Sequence, residues 1–202
     1  ELAGFSILFL LALFSRLISL KILKKQYEPK IKIKGQNYFS FKEFFLNAKN
    51  NNFGRFTIYR AMIALSSAIC ASLVAVYLIR DLQFSYTNYM LVIMGGTFIS
   101  LFSMEIWGKF ADKYGNYKTI VISSLVIPII PILWILNPSI IYLLFVPSLI
   151  EGIAWAGMNL ATGNFIYDNV SPQKRGQAVS YLNMMWGIGV FIGAIISAIL
   201  IK

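Results

Sequence analysis

The sequence predicts an all-α polytopic membrane protein with about six transmembrane helices. It is 58% hydrophobic and 13% charged, with a mean hydropathy of +0.70, well above the range of a soluble domain. Residues 61–79, 82–104, 119–150 and 176–201 carry no charge, and about 20 apolar residues suffice to cross the hydrocarbon. The runs are continuous and rich in Leu, Ile and Ala, whereas barrel strands would alternate over about ten residues.

Composition also removes whole chemistries. Lys and Arg number 18 against 8 Asp and Glu, for a net +10. Most of these bases stand beside or between the apolar runs, so they mark a membrane face rather than a nucleic-acid site. There is no His and one Cys, Cys70. Ser-His and Cys-His nucleophile pairs, His-bearing metal sites and an intramolecular disulfide are thereby excluded, and no cofactor is expected.

Taken in order, the crossings are expected near 3–22, 57–79, 88–107, 119–136, 140–167 and 177–201. Asn137-Pro138-Ser139 is a turn that splits the longest run. The first run has no basic region before it and no small-residue cleavage site after it, so it does not read as a signal peptide. With Glu1 at its start and a stop just after an apolar segment, the sequence reads as a piece of a longer protein.

Basic residues then set the orientation. They crowd the connection 23–56 (Lys24, Lys25, Lys30, Lys32, Lys34, Lys42, Lys49, Arg55), the third connection (Lys109, Lys113, Lys118) and the fifth (Lys174, Arg175). Loops 23–56, 108–118 and 168–176 are thus expected in the cytoplasm, and the plasma membrane is the expected location. Within the first of these, Ser40-Phe41-Lys42-Glu43 has the pattern of a capping box and predicts a short helix. Its aromatic side is expected in the membrane interface, with Lys42 and Lys49 toward lipid headgroups.

The most specific motif is Gly108-Lys109-Phe110-Ala111-Asp112-Lys113-Tyr114-Gly115-Asn116-Tyr117-Lys118. Two glycines suit a tight helix-to-helix turn, and one Asp can cap a helix N-terminus or pair with its basic neighbours. It resembles the signature loop of the major facilitator superfamily, G-x-L-A-D-R-x-G-R-K. Phe110 stands for Leu, Lys113 for Arg, and Asn116 for the usual basic residue, with Lys118 restoring a charge two positions on. A weaker resemblance follows the fifth span, in Asp168-Asn169-Val170-Ser171-Pro172-Gln173-Lys174-Arg175-Gly176.

That family has two six-helix bundles. The resemblance therefore implies that 1–22 is the last helix of a partial N-terminal bundle and 23–56 the central cytoplasmic linker. Residues 57–202 would then be helices 7–11 of the C-terminal bundle, its final helix missing. It further implies that Gly108, Asp112, Lys113, Gly115 and Lys118, with Asp168 and Arg175, form a cytoplasmic latch. Asp168 would lie near Lys113, and Arg175 near Asp112.

Within the apolar runs, each ionisable residue needs a partner or water, because burial at the bilayer centre costs about 2.5–3.5 kcal/mol or more. Glu151 lies 11 residues beyond Ile140, roughly 16 Å into its helix and near the midplane. Ser148, Glu151, Trp155 and Asn159 share one helical face. Ser66, Cys70 and Tyr77 make a weaker stripe on the span 57–79, and Asn183 and Trp186 a short polar patch on the last. Glu151, Trp155, Asn159, Ser148, Ser66, Tyr77 and Asn183 are the candidates for contact with substrate or proton. For Glu151 the expected contact is a proton or a cationic substrate, with interhelical hydrogen bonding as the structural alternative. Arg16, Arg60 and Glu105 read as side chains that snorkel to the cytoplasmic interface. Gly189-Val190-Phe191-Ile192-Gly193 predicts close packing of the last span on a neighbour.

The function these features imply is secondary active transport of a small solute by alternating access, with proton coupling through Glu151. Expected partners are that solute, protons, membrane lipids and the missing N-terminal bundle, without which transport is not expected; nucleic acid is not a partner. An enzyme is not expected. A lipid-modifying membrane enzyme is the rival reading, though it needs clustered acids or His at headgroup level, and a non-transporting scaffold or receptor on the same fold is the third.

Overall fold

The computed structural model describes residues 2–27 and 40–201, with no strand among them. It divides into two units, Glu1–Gly35 and Gln36–Lys202, which are described separately. Residues 28–39, within the expected linker, lie outside the described residues, as do Glu1 and Lys202.

The first unit contains α1 (Leu2–Leu23). Its apolar residues recur on every side, as a membrane crossing requires, and Lys21 in the last turn suits the negative end of the helix dipole.

The second unit begins with α2 (Phe41–Asn47), where the expected capping box forms. Ser40 Oγ accepts from the Glu43 N–H at 3.2 Å, and Glu43 Oε2 accepts from the Ser40 N–H at 2.9 Å. The helix departs from the interfacial reading on its aromatic side. Phe44 is buried, its ring 5.9 Å from Phe53 and 5.1 Å from Tyr181, while Phe45 and Leu46 stay exposed. The aromatic residues thus divide between protein and surroundings.

The five following crossings are built from α3 (Asn52–Val76), α4 (Tyr86–Tyr114), α5 (Asn116–Val126), α6 (Ile130–Leu136), α7 (Ile140–Phe145), α8 (Pro147–Asn169) and α9 (Arg175–Leu200). With α1 they give six candidate spans among the described residues, matching the six apolar runs. Asn51 caps α3 and Ser85 caps α4. The α3 crossing ends in a π-turn, Tyr77–Asp81. Prolines divide two crossings: α5 passes to α6 through a 3-10 turn at Ile127–Ile129 that contains Pro128, and α7 passes to α8 at Val146, before Pro147.

Packing follows the small residues. The α3–α9 pair meets where Gly189 touches the Ala61 carbonyl and Gly193 the Leu65 carbonyl, so a Cβ at either glycine would collide with backbone. This is the close contact that the Gly-x-x-x-Gly pattern predicts. The α4–α8 pair crosses at Gly96 and Gly152 in the same way: a Cβ on Gly152 would strike the Gly96 carbonyl, and one on Gly96 would come within 2.9 Å of the Ser148 carbonyl. Trp107 secures that crossing, its indole N–H donating to the Ile153 carbonyl at 2.8 Å. Helix α5 lies on the other side of α8, where Gly157 leaves room for Ser123 and the Trp107 ring.

Gly152→Val should therefore force α4 and α8 apart, at a cost of about 1–3 kcal/mol typical of overpacking, and lower the melting temperature of the detergent-purified protein by several degrees. Gly163→Ala, on the same helix but with open space at its Cβ, should leave melting unchanged or raise it. Equal melting of the two variants would show that the crossing tolerates separation.

Candidate functional site

Where α4, α6 and α8 converge, a cavity of about 260 Å³ opens around Glu151. It is lined by Gly96, Thr97 and Ser100 from α4, Trp134 from α6, and Ser148, Glu151, Gly152 and Trp155 from α8. The two glycines that let the helices cross also form part of its wall. The Trp134 indole, 3% exposed, lines the same cavity as the Glu151 carboxyl. On the α3 side, Cys70 lies within electrostatic range of the same carboxyl.

Of the predicted α8 stripe, Ser148, Glu151 and Trp155 reach this cavity, whereas Asn159, two turns beyond Glu151, is exposed and does not line it. Ser148 has a structural duty there. Pro147 has no N–H to give to the Leu143 carbonyl four residues back. The Ser148 hydroxyl, 2% exposed, lies 2.8 Å from that carbonyl and 2.9 Å from the Val92 carbonyl of α4. Its single proton serves backbone acceptors on two helices.

The α3 stripe is less coherent than its spacing implied. Ser66 is exposed, its hydroxyl donating to the Ile63 carbonyl at 3.0 Å, and Tyr77 packs against the apolar core. Asn183 is exposed on α9, while Trp186, one turn on, meets Trp155 edge to face with ring centroids 5.9 Å apart.

Arg60 contradicts the snorkelling expectation. It is 5% exposed, its guanidinium carbon 4.5 Å from the centre of the Trp186 ring. Its Nε and Nη1 are buried with no hydrogen-bond partner. Glu105 is exposed and paired with Lys109 at 2.6 Å.

The signature segment is not an open loop. Helix α4 runs through Gly108, Asp112 and Lys113 to Tyr114, so Gly108 is a mid-helix residue and Gly115 alone makes the turn into α5. Gly115 has φ +90°, a region in which a Cβ is strained. Asp112 does not cap α5: no side chain caps that helix. Lys113 and Lys118 lie over the Tyr114 ring, at 5.1 and 5.8 Å.

The two expected acid–base pairs do not form in this conformation. Asp168 accepts instead from the Asn116 amide at 2.7 Å, and the Asn116 carbonyl oxygen accepts from Asn164 at 3.1 Å. Arg175 donates to the Tyr167 and Val170 carbonyls at 3.0 and 3.2 Å, closing the end of its own connection. Asn116, one of the three residues that depart from the family pattern, joins the two segments by a neutral amide in place of a base.

Sequence reasoning missed Trp134, Gly96, Gly152 and Thr97. Trp134 shows no polar periodicity, being in a run broken by two prolines. Its signal lay in being an indole within an apolar span, where an N–H needs an acceptor.

Six candidate membrane crossings among the described residues, with a carboxyl-bearing cavity between α4, α6 and α8 of the second unit, mark an integral membrane protein. Residues 56–202 match the Major Facilitator Superfamily, and the chain belongs to that family. The matched residues fall within the second structural unit. No curated protein and no solved structure gives a match.

Gly115→Ala should destabilise by about 1 kcal/mol or more, because alanine is strained at positive φ. Gly108→Ala should be neutral or stabilising by up to about 1 kcal/mol, as in any helix interior with room for a methyl group. Thermal melting of the two variants tests the assignment of the turn to one glycine, which fails if Gly108→Ala is the more damaging.

Proposed function

We propose that this protein is a secondary active transporter that moves a small solute by alternating access, with Glu151 as the group that couples transport to protons. The observation that carries the reading is the cavity itself: a carboxyl, two indoles and a small hydroxyl cluster face about 260 Å³ of space inside a membrane-spanning bundle. Such a carboxyl is costly in lipid, and a pocket is where that cost is offset by function.

Each residue then has a role. Glu151 takes up and releases the proton, and Trp134 positions its carboxyl. Trp155 forms the wall toward α9, while Thr97 and Ser100 supply hydroxyls for a bound solute or water. Gly115 and the Asn116–Asp168 contact fix the end of the bundle that the basic connections place in the cytoplasm, where the signature segment acts as a latch. Alternating access would move this bundle as a body, because the glycine contacts resist sliding.

The test is uptake and efflux of a metabolite panel in vesicles, with and without an imposed proton gradient, for the native protein and Glu151→Gln. Gradient-driven accumulation should fall at least tenfold in the variant, while exchange of bound for free solute persists. Unchanged accumulation would reduce Glu151 to a structural hydrogen-bonder.

A further inference from the structure

Arg60 is the one ionised group of the second unit that is both deeply buried and short of acceptors, among the described residues. A guanidinium is not deprotonated in a protein, and its five N–H donors match the oxygens of a carboxylate or phosphate. Burying it with donors unsatisfied is strongly unfavourable.

No described acid answers it. Glu43 closes the α2 capping box, Asp81 pairs with Arg80, Glu105 with Lys109, and Asp168 accepts from Asn116. Asp112 is exposed at the end of α4, and Glu151 faces the α4–α8 cavity. None forms an ion pair with Arg60. What holds the guanidinium is the Trp186 ring, which satisfies its face and leaves its N–H edge. Trp186 is itself only half-buried and leans edge-on against Trp155, which lines the Glu151 cavity. Two indoles in contact, Trp186 and then Trp155, therefore stand between Arg60 and the cavity.

Resting on the transporter reading, we infer that Arg60 is the binding residue for an oxyanion, a carboxylate or a phosphate group, on the transported solute, and that Trp186 is the movable cover of that site. The solute is thus an anion. Its charged group supplies the acceptors that the protein withholds, and the unliganded protein carries an uncompensated charge.

The arrangement provides its own reporter, since an anion at Arg60 changes the surroundings of Trp186. The purified protein in detergent is titrated with sodium phosphate and with sodium succinate, against sodium chloride at matched ionic strength. Tryptophan fluorescence and melting temperature are followed. Saturable change with phosphate or succinate, and not with chloride, is expected, and the anion that produces it names the group. Arg60→Gln should abolish the response, Arg60→Lys should weaken it at least tenfold, and Trp186→Phe should diminish the anion-induced fluorescence change while the anion still raises melting.

Without ligand, Arg60→Gln should melt at or above the native temperature. A fall of several degrees would make Arg60 a packing residue, and would overturn the inference, as would equal responses in native protein and Arg60→Gln, or no response to either oxyanion. Glu151→Gln should keep the anion response. Coupled uptake that survives Glu151→Gln, with the anion response present, removes the role of Glu151 alone, whereas the absence of an anion response from a protein whose uptake is proton-coupled removes the role of Arg60 alone.

Discussion

The structure depends on helices approaching until their backbones touch. In lipid, burying an apolar side chain against another gains little, because the surroundings are equally apolar, and association rests on van der Waals packing and hydrogen bonds. This chain meets that constraint at Gly96 and Gly152 between α4 and α8, and at Gly189 and Gly193 between α3 and α9. Where a side chain is absent, a carbonyl of the neighbouring helix occupies its place. Large apolar residues such as Phe98, Leu101 and Phe102 are left to face outward.

Close crossing and polar cavity are two results of one arrangement. Helices that touch at glycines must diverge above and below, and the divergence of α4 from α8 makes the space into which Glu151 and Trp155 project. Pro147 adds to it by breaking the crossing at Val146, and the carbonyl thus freed is met by Ser148, which also reaches α4. A helix break that would be unsatisfied in hydrocarbon is absorbed by a neighbouring hydroxyl.

The crossings were legible because hydropathy over a membrane thickness is a strong signal, and the runs between charges returned as helices with little change of boundary. The family was legible from Gly108, Asp112 and Gly115 in their spacing. Local geometry was less so. The motif suggested a loop with two hinge glycines, yet α4 continues through Gly108 to Tyr114, and only the positive φ of Gly115 makes a turn. Spacing placed Ser148, Glu151 and Trp155 together correctly, since all three sit on one helix. It could not find Trp134, whose proximity to Glu151 depends on a proline-bent crossing elsewhere in the chain. Nor could it anticipate that Arg60 turns inward, because depth along a helix says nothing of which neighbour waits beside it.

The aromatic cluster at the start of the second unit has a mechanical consequence. Phe44 touches Phe53 at the foot of α3 and Tyr181 near the foot of α9, and Phe41 also leans on Tyr181, at 5.5 Å. One short helix is thereby strapped to both members of the most closely packed pair. A shift of α2 away from either helix must break these ring contacts, so the position of one short segment is tied to both α3 and α9.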